Sequence, residues 1–540
     1  MHPNVKHCFF AVVLCLVCSY ASADIYTAVV DLEKLLYTEG EVIKAMESYI
    51  DMEEKRLQEI KRFKDEYGKL HQVASDDSQT FLANPINAFL LVKRLSTDWK
   101  TAQSLMMESA GKAMIGNITQ SREDLKFPED EDLTGAAEVL LRLQDTYKLD
   151  TSTLAKGEIY GTKPSNELSA HDCFVLGRHS FKKRDHYHAI LWMQEALDRA
   201  EKETDKSVEK SEILEYLAFS TYKLGNIRHA LKLTNDLLEL VPHHPRAQRS
   251  RAYYEYALTN AVDTKSGDLQ SDGDINHSEA SKEDTELSKQ GLYKQGLYEQ
   301  LCRKSISNFL EQQNLYCEYY TNKNPYYILQ PIKREIVFEN PFIVIFHDVV
   351  SDREIEIIKF LAQPRLERSF ATTNPSGNFG YAKYRISKSA WVFNEDHPVV
   401  KKISQRMEDL TGLTVSTAEE LQVVNYGIGG HYEPHFDFAT KEQLSYVFNT
   451  GIGNRIATWL FFMNNVNAGG ATVFPNIGVA LRPKKGAAAF WYNLRRNGEG
   501  DMLTLHAACP VLAGSKWVFN KWLHERGQEF LRRCGLRETV

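Results

Sequence analysis

Residues 261–290 hold Ser, Asp, Glu and Lys and almost no large apolar side chains, and they split the chain into halves of different pattern. A segment of that composition cannot bury enough apolar surface to order itself, so it reads as an acidic flexible linker. Before it, apolar residues recur at three- and four-residue spacing. From residue 335 they come in short β-rich runs broken by Gly and Pro. The expected fold class is therefore multidomain α + β. The 540 residues leave room for several domains, and 65 basic against 72 acidic side chains give a formal charge of −7. A basic footprint is missing, so no nucleic acid is expected as partner.

Residues 1–23 read as a secretory signal peptide. Lys6 and His7 precede the apolar stretch Cys8–Cys18, and Ala21 and Ala23 supply the small residues of a cleavage site before Asp24. The stretch falls short of the ~20 apolar residues a membrane span needs, and no later segment reaches that length. Cleavage leaves Cys173, Cys302, Cys317, Cys509 and Cys534 in an oxidising compartment. The local pairs are Cys302–Cys317 and Cys509–Cys534, with Cys173 left over; spacing alone does not prove connectivity. The sequons at Asn117 and Asn276 become usable for glycosylation. The chain ends Arg537-Glu538-Thr539-Val540, which is no retention signal, so the expectation is secretion or a partner that holds the protein in the endoplasmic reticulum.

Residues 24–145 are expected to form a helical, coiled-coil-like domain. Ile43, Met46, Ile50, Leu57, Ile60 and Tyr67 mark one long amphipathic helix, compatible with packing in its own domain or with a subunit interface. Residues 165–260 carry a near-repeat. Phe181 and Ala189 are matched 41 residues later by Tyr222 and Ala230, with Gly225 after the second aromatic residue and Pro242 closing the unit. Helix pairs of this tetratricopeptide type stack into a concave face that holds extended peptides. The aromatic positions Tyr216, Phe219, Tyr222, Tyr253, Tyr254 and Tyr256 suit a proline-rich peptide, because aromatic grooves dock polyproline II helices at low entropic cost. Residues 291–334 read as a helical connector carrying a disulfide.

Residues 335–530 are expected to form a sandwich or barrel such as a jelly roll, built on the runs Ile336–Phe338, Phe342–Phe346, Leu421–Tyr426, Ile456–Phe462, Ala487–Tyr492 and Trp517–Trp522. Helices are expected at 351–363 and 397–411. Within this region His435 and Asp437 are two apart, so on an extended segment both face one side. With His506 they make two His and one carboxylate, the donor set of non-haem Fe(II) oxygenases, which leaves three metal positions open. Lys516 follows ten residues after His506. On an antiparallel neighbour it would point into the same barrel and require an anion such as a dicarboxylate co-substrate. His431 reads as structural or exposed.

Four stretches carry a resemblance: Gly453–Leu460, Gly469–Pro475, His506–Leu512 and Lys521–Phe530. Asp172-Cys173-Phe174 and Leu191-Trp192-Met193 extend it to the helical half. The chain resembles the collagen prolyl 4-hydroxylase α subunits. The resemblance implies a C-terminal double-stranded β-helix dioxygenase with iron held by His435, Asp437 and His506. It implies 2-oxoglutarate on Lys516 with help from Tyr426 and Thr472, and pocket roles for Tyr432, Arg455, Trp522 and His524, the last counted as catalytic. It implies a peptide groove at Tyr216, Phe219, Tyr222, Arg246 and Tyr253. Phe219 stands where a Tyr is usual and Ser250 where an Asn is usual. Both disulfide pairs above match the family pattern.

The family further implies dioxygen as co-substrate and ascorbate as the reductant that rescues iron. It implies a collagen-like peptide substrate, protein disulfide isomerase as β subunit in a two-plus-two tetramer, self-association through the N-terminal helices, and the endoplasmic reticulum lumen. The function expected is 4-hydroxylation of peptidyl proline in X-Pro-Gly repeats. Rival readings are a hydroxylase of the same fold acting on non-collagen proline-rich proteins or on lysine, an inactive peptide-binding chaperone-like subunit, and a zinc hydrolase, in which Lys516 has no evident task.

Overall fold

The computed structural model of the chain describes residues 29–50, 57–100, 103, 127–163, 165–204, 207–262, 296–304, 316–372, 379–381, 384–440 and 451–535. The expected signal segment, the sequons at Asn117 and Asn276, and all of the linker but its first two residues lie outside these. The chain divides into two compact units. One takes the described residues up to Gly135, Tyr160–Thr162 and the C-terminal region; the other takes Ala136–Ile159 and the described part of Lys163–Gln290.

The N-terminal segment opens with α1 (Val29–Ile50) and α2 (Leu57–Asp76), which pack against each other. Where one long helix was expected, the described residues form two. Met46 and Tyr67 are buried, and the Tyr67 hydroxyl donates to the Arg94 carbonyl at 2.9 Å. Part of the periodic stripe thus serves the domain's own core. Short helices α3 (Ser78–Ala83) and α4 (Pro85–Lys93) follow, each capped by the side chain before it, Asp77 and Asn84.

In the second unit, α5 (Asp130–Tyr147) and α6 (Thr151–Ala155) lead into two helix pairs. These are α7 (Ala170–Lys182) with α8 (His186–Ala200), and α9 (Lys210–Lys223) with α10 (Ile227–Leu240); α11 (Pro245–Val262) packs on α10. Successive helices pack on one another as in a tetratricopeptide stack. Ala189 and Ala230 are fully buried at equivalent places. Arg184 and Gly225 both take positive φ just past α7 and α9, where a left-handed residue ends a helix. The added length of the repeat lies between the pairs, in 201–209. The C-terminal part of α5 belongs to this unit: Gln144 accepts from the Trp192 indole at 3.0 Å, and Glu138 pairs with Lys183 at 2.6 Å.

The C-terminal region is built on a nine-stranded antiparallel sheet in the order β1 (Cys317–Tyr320), β2 (Ile332–Phe338), β3 (Ile343–His347), β15 (Ala488–Tyr492), β11 (Arg455–Phe462), β18 (Lys516–His524), β9 (Leu421–Tyr426), β8 (Lys388–Val392) and β4 (Glu367–Arg368). A five-stranded antiparallel sheet runs β14 (Val479–Leu481), β13 (Thr472–Phe474), β16 (His506–Ala508), β10 (His431–His435) and β7 (Arg385–Ile386). All six expected runs lie in the larger sheet. Their alternation sorts the side chains. Trp459, Phe461, Phe490 and Phe519 face α13 (Asp352–Ala362) and α14 (Pro398–Thr411), packing on Ile355, Ile358, Ile403 and Met407. Val424, Leu460, Phe462 and Val518 face the smaller sheet and meet Phe474, Leu481 and Val511. The two inner faces together form the jelly roll. A capping box at Ser351–Glu354 starts α13, and Arg406 of α14 grips Glu354 at 2.9 Å.

Among the described residues of the connector 291–334, 296–304 and a short helix, α12 (Pro325–Leu329), are helical, and Cys317–Tyr320 is the edge strand of the larger sheet. The disulfide joins Cys302 to Cys509, with Cα atoms 5.6 Å apart, while Cys317 and Cys534 are free and exposed and Cys173 is free and buried. The helix of Cys302 also carries Tyr298, buried, whose hydroxyl donates to the Ala508 carbonyl at 3.3 Å. That contact seats Cys302 beside Cys509, across 207 residues of sequence. Neither Cys302–Cys317 nor Cys509–Cys534 is formed.

Candidate metal centre and peptide groove

The turn between β9 and β10 leaves no room for a side chain at Gly430. A Cβ on Gly430 would lie 2.8 Å from the Gly427 carbonyl oxygen and 3.1 Å from that of Ile386. The chain then enters β10, where the register against β16 shifts between Tyr432 and His435. Pro434, which has no N–H to give to a ladder, sits in that irregularity. The shift brings both Tyr432 and His435 to the face that looks into the barrel. Tyr432 pairs with Ala508, His435 pairs with His506, and the rings of Tyr432 and His435 stack at 3.5 Å between centroids.

The ligating atoms of His435, Asp437 and His506 all lie within 4.8 Å of one another. The Nε2 atoms of His435 and His506 are 3.8 Å and 3.5 Å from the Asp437 carboxylate. Each imidazole donates its Nδ1–H to the carbonyl two residues earlier, Glu433 at 2.8 Å and Thr504 at 3.0 Å. That orients each ring with Nε2 aimed at the centre as the nitrogen a metal would take. Burial drives the His435 pKa down to about 3, with His506 adding to it. Burial pushes the Asp437 carboxyl up, but His506, His435 and Arg455 outweigh it and hold it at about 2. Two imidazole nitrogens and one carboxylate in this arrangement fit a divalent iron and leave one side of it open.

Lys516 lies across the barrel, on β18 of the larger sheet. It does not neighbour the strand of His506; the two strands belong to opposite sheets. Its Nζ reaches over to donate to Thr472 Oγ1 at 3.1 Å and lies 5.5 Å from the Tyr426 ring centroid, its register partner on β9. The side chain is 1% exposed, and burial lowers its pKa to about 7. Burial likewise raises Tyr426 to about 12. Lys516, Thr472 and Tyr426 thus come together as the resemblance implies, and they offer donors to a buried anion.

Arg455, Trp522 and His524 also come together. Arg455 lies 4.0 Å over the Trp522 ring and clamps Glu419 through Nε and Nη2 at 2.5 Å and 2.9 Å. His524 meets the same carboxylate at 3.1 Å through Nε2, and its Nδ1 meets the Gly453 carbonyl at 2.7 Å. Burial pushes Glu419 up, yet Arg455 and His524 hold it at about 2. Glu419 was not singled out from sequence, nor was Arg385, whose guanidinium lies 4.8 Å over Tyr432 and donates to Gln422 at 2.9 Å. His431 is buried and faces the Gly429 carbonyl, in keeping with a structural role.

In the helical unit the aromatic positions form a ladder. Phe181 meets Tyr216 at 4.8 Å and Phe219 at 5.5 Å; Phe219 meets Tyr222 at 6.3 Å; Tyr222 meets Tyr253 at 5.7 Å, with their hydroxyls 3.2 Å apart. Phe219 and Tyr253 are exposed, whereas Tyr254 belongs to the core. Arg246 pairs with Glu215 at 2.9 Å.

Three family models match the chain. The prolyl 4-hydroxylase alpha-subunit N-terminal region matches residues 28–161, the prolyl 4-hydroxylase peptide-substrate-binding domain 170–260, and the 2OG-Fe(II) oxygenase superfamily 421–524. Bovine prolyl 4-hydroxylase subunit alpha-1 is 45% identical over 530 residues, 96% of this chain and 97% of its own. The chain belongs to the prolyl 4-hydroxylase alpha-subunit family. Chicken subunit alpha-1 is 46% identical, covering 95% of this chain and 99% of its own, and Caenorhabditis elegans subunit alpha-2 is 45% identical, covering 98% and 96%. As a member of this family the chain is a dioxygenase with a tetratricopeptide-like peptide-binding domain, and Fe(II) and 2-oxoglutarate are its implied cofactors. No helix among the described residues is long and apolar enough to cross a membrane.

Proposed function

We propose that this alpha subunit hydroxylates C4 of peptidyl proline in X-Pro-Gly repeats, with decarboxylation of 2-oxoglutarate to succinate. The observation that carries the reading is the pairing of two features in one barrel: a His-Asp-His set with both Nε2 atoms facing inward, and the buried Lys516 ammonium opposite. When bound, Fe(II) with 2-oxoglutarate and dioxygen supplies the oxidation, one oxygen atom going to proline and one to succinate, and ascorbate restores iron oxidised in uncoupled turnovers.

The chain's residues do the holding. His435, Asp437 and His506 bind the metal from one side. Lys516 anchors the far carboxylate of the co-substrate, with Thr472 and Tyr426 orienting it. A dicarboxylate removes the charge imbalance of a buried lysine, whereas a hydrolase would give Lys516 nothing to do. Arg455, Trp522 and His524, braced by Glu419, and Tyr432, steadied by Arg385, line the approach of the peptide. The aromatic ladder Tyr216, Phe219, Tyr222, Tyr253, with Arg246 near its end in sequence, holds a proline-rich strand, and burial of flat rings gives affinity without bulk charge.

Family membership supports the remainder of the reading: a signal-directed chain in the endoplasmic reticulum lumen, assembled with protein disulfide isomerase into a two-plus-two tetramer, with α1 and α2 in the region of self-association. The assay is release of labelled carbon dioxide from 2-oxoglutarate by the assembled protein with Fe(II) and ascorbate. Stimulation by a Pro-Pro-Gly repeat, and none by a repeat with lysine as sole acceptor, is expected. Equal stimulation by the lysine repeat contradicts the reading.

A further inference from the structure

Thr458 is a polar residue in the middle of the larger sheet's inner face. Its register partners are Trp491 on β15 and Trp522 on β18. It is buried, and a buried hydroxyl is costly unless hydrogen-bonded. Its Oγ1 lies 2.7 Å from Asp437 Oδ2, and Asn493 Nδ2 lies 2.8 Å from the same Oγ1.

Chemistry alone sets the direction of these bonds. An ionised carboxylate only accepts, so the single hydroxyl proton goes to Asp437. The hydroxyl oxygen must then accept from Asn493, which places the amide nitrogen, and not the amide oxygen, against Thr458. Asn493 is held rigidly for the task. It is fully buried, its backbone N–H donates to Ile456 at 2.8 Å, and its carbonyl accepts from Asp501 N–H at 2.8 Å. The same rung of the sheet supplies Trp491, whose ring meets His506 edge-on at 5.0 Å.

We propose that Asn493 and Thr458 are positioning residues, a one-way hydrogen-bond relay that makes Asp437 a one-oxygen metal ligand by engaging Oδ2 and leaving Oδ1 to the metal. A carboxylate with both oxygens free can occupy two positions on a metal. Two histidines and a two-oxygen aspartate would leave two positions open, one fewer than a chelating co-substrate and dioxygen require. The relay therefore preserves the third open position. It rests on reading His435, Asp437 and His506 as the metal centre.

The test compares T458V, T458S, N493D and H435A with the wild-type full-length chain. Co(II) is titrated without peptide or co-substrate, recording both the dissociation constant and the visible absorption bands that report coordination number. Valine keeps the volume of threonine and removes the hydroxyl. T458V is expected to weaken Co(II) binding by about 10- to 100-fold, the usual effect of losing a partner behind a metal ligand, and to change the bands. T458S restores both, since it restores the hydroxyl. N493D behaves like T458V, because its carboxylate draws the hydroxyl proton away from Asp437. Wild-type affinity and bands in T458V, or failure of T458S to restore them, overturns the relay. If T458V does not fold, N493D against the wild type decides by the same readouts. H435A separates the two claims: loss of Co(II) there with none in T458V refutes the relay alone, while retention in H435A refutes the metal-centre reading.

Discussion

Lys516 should make the empty enzyme less stable, and the structure gives the size of the effect. Its side chain is 1% exposed, and burial alone brings its pKa from the ordinary 10.5 to about 7. At about 1.4 kcal/mol per pH unit, a charged lysine at this place costs up to ~5 kcal/mol. The folded pKa lies below the unfolded one, so the penalty is absent above pH ~10.5. It grows as the pH falls and is complete below about 7. Lys516→Met keeps the length of the chain and removes the charge. It gives up one hydrogen bond to Thr472, worth about 1 kcal/mol, so the desolvation effect wins. Urea unfolding of the variant and parent, followed by tryptophan fluorescence from pH 6 to 10 without co-substrate, is the assay. The variant should be the more stable at pH 6, with the gap closing as the pH rises. Saturating 2-oxoglutarate should then stabilise the parent, by about 2.7 kcal/mol at a hundred times Kd, and leave the variant unchanged. A variant less stable than the parent at pH 6 would refute the reasoning, because it would mean that Lys516 already has an anion in the empty protein.

Three further outcomes are expected. His435→Ala should abolish turnover and leave proline-peptide affinity at the wild-type value, since the ligand and the aromatic ladder lie in different units; calorimetry showing loss of both would contradict modularity. Tyr222→Ala and Tyr253→Ala should each weaken a Pro-Pro-Gly repeat by roughly tenfold, the scale of a buried aromatic contact, and unchanged Kd values would remove the ladder from recognition. His188 is buried between Asp185 at 2.6 Å and Asp145 at 3.4 Å; burial lowers its pKa, but the two carboxylates prevail and raise it to about 9. Its contribution, up to ~3 kcal/mol, is complete below pH ~6.5 and is lost as the pH rises through 9, so His188→Gln should flatten the alkaline decline in melting temperature of this unit, and an unaltered profile would be the contrary result.

Sequence showed the larger sheet well because its central strands are long and both faces are covered: Ile456–Phe462 is apolar but for Thr458, and Trp517–Phe519 is apolar throughout. The smaller sheet was harder to see. Thr472–Phe474, Val479–Leu481 and His506–Ala508 have three residues each, too few to show a period, and β10 is irregular at Pro434. The clustering of His435, Asp437 and His506 and a buried Lys516 in the same barrel were legible, because their types and order carry chemistry. Their supports were not. Thr458 and Glu419 look ordinary in sequence, and Asn493 acts only through a contact 35 residues away. A polar residue inside an apolar strand was the one available signal for Thr458. The disulfide expectation used nearness in sequence, and packing of Tyr298 against Ala508 brought a distant cysteine closer.

The central claim is that this barrel couples oxidation of 2-oxoglutarate to hydroxylation of peptidyl proline at C4. Its most direct test is the amount of 4-hydroxyproline formed in a Pro-Pro-Gly repeat per succinate produced by the assembled protein with Fe(II), 2-oxoglutarate, dioxygen and ascorbate. The account predicts a ratio near one-to-one. Succinate that forms steadily with peptide present and no 4-hydroxyproline would contradict it.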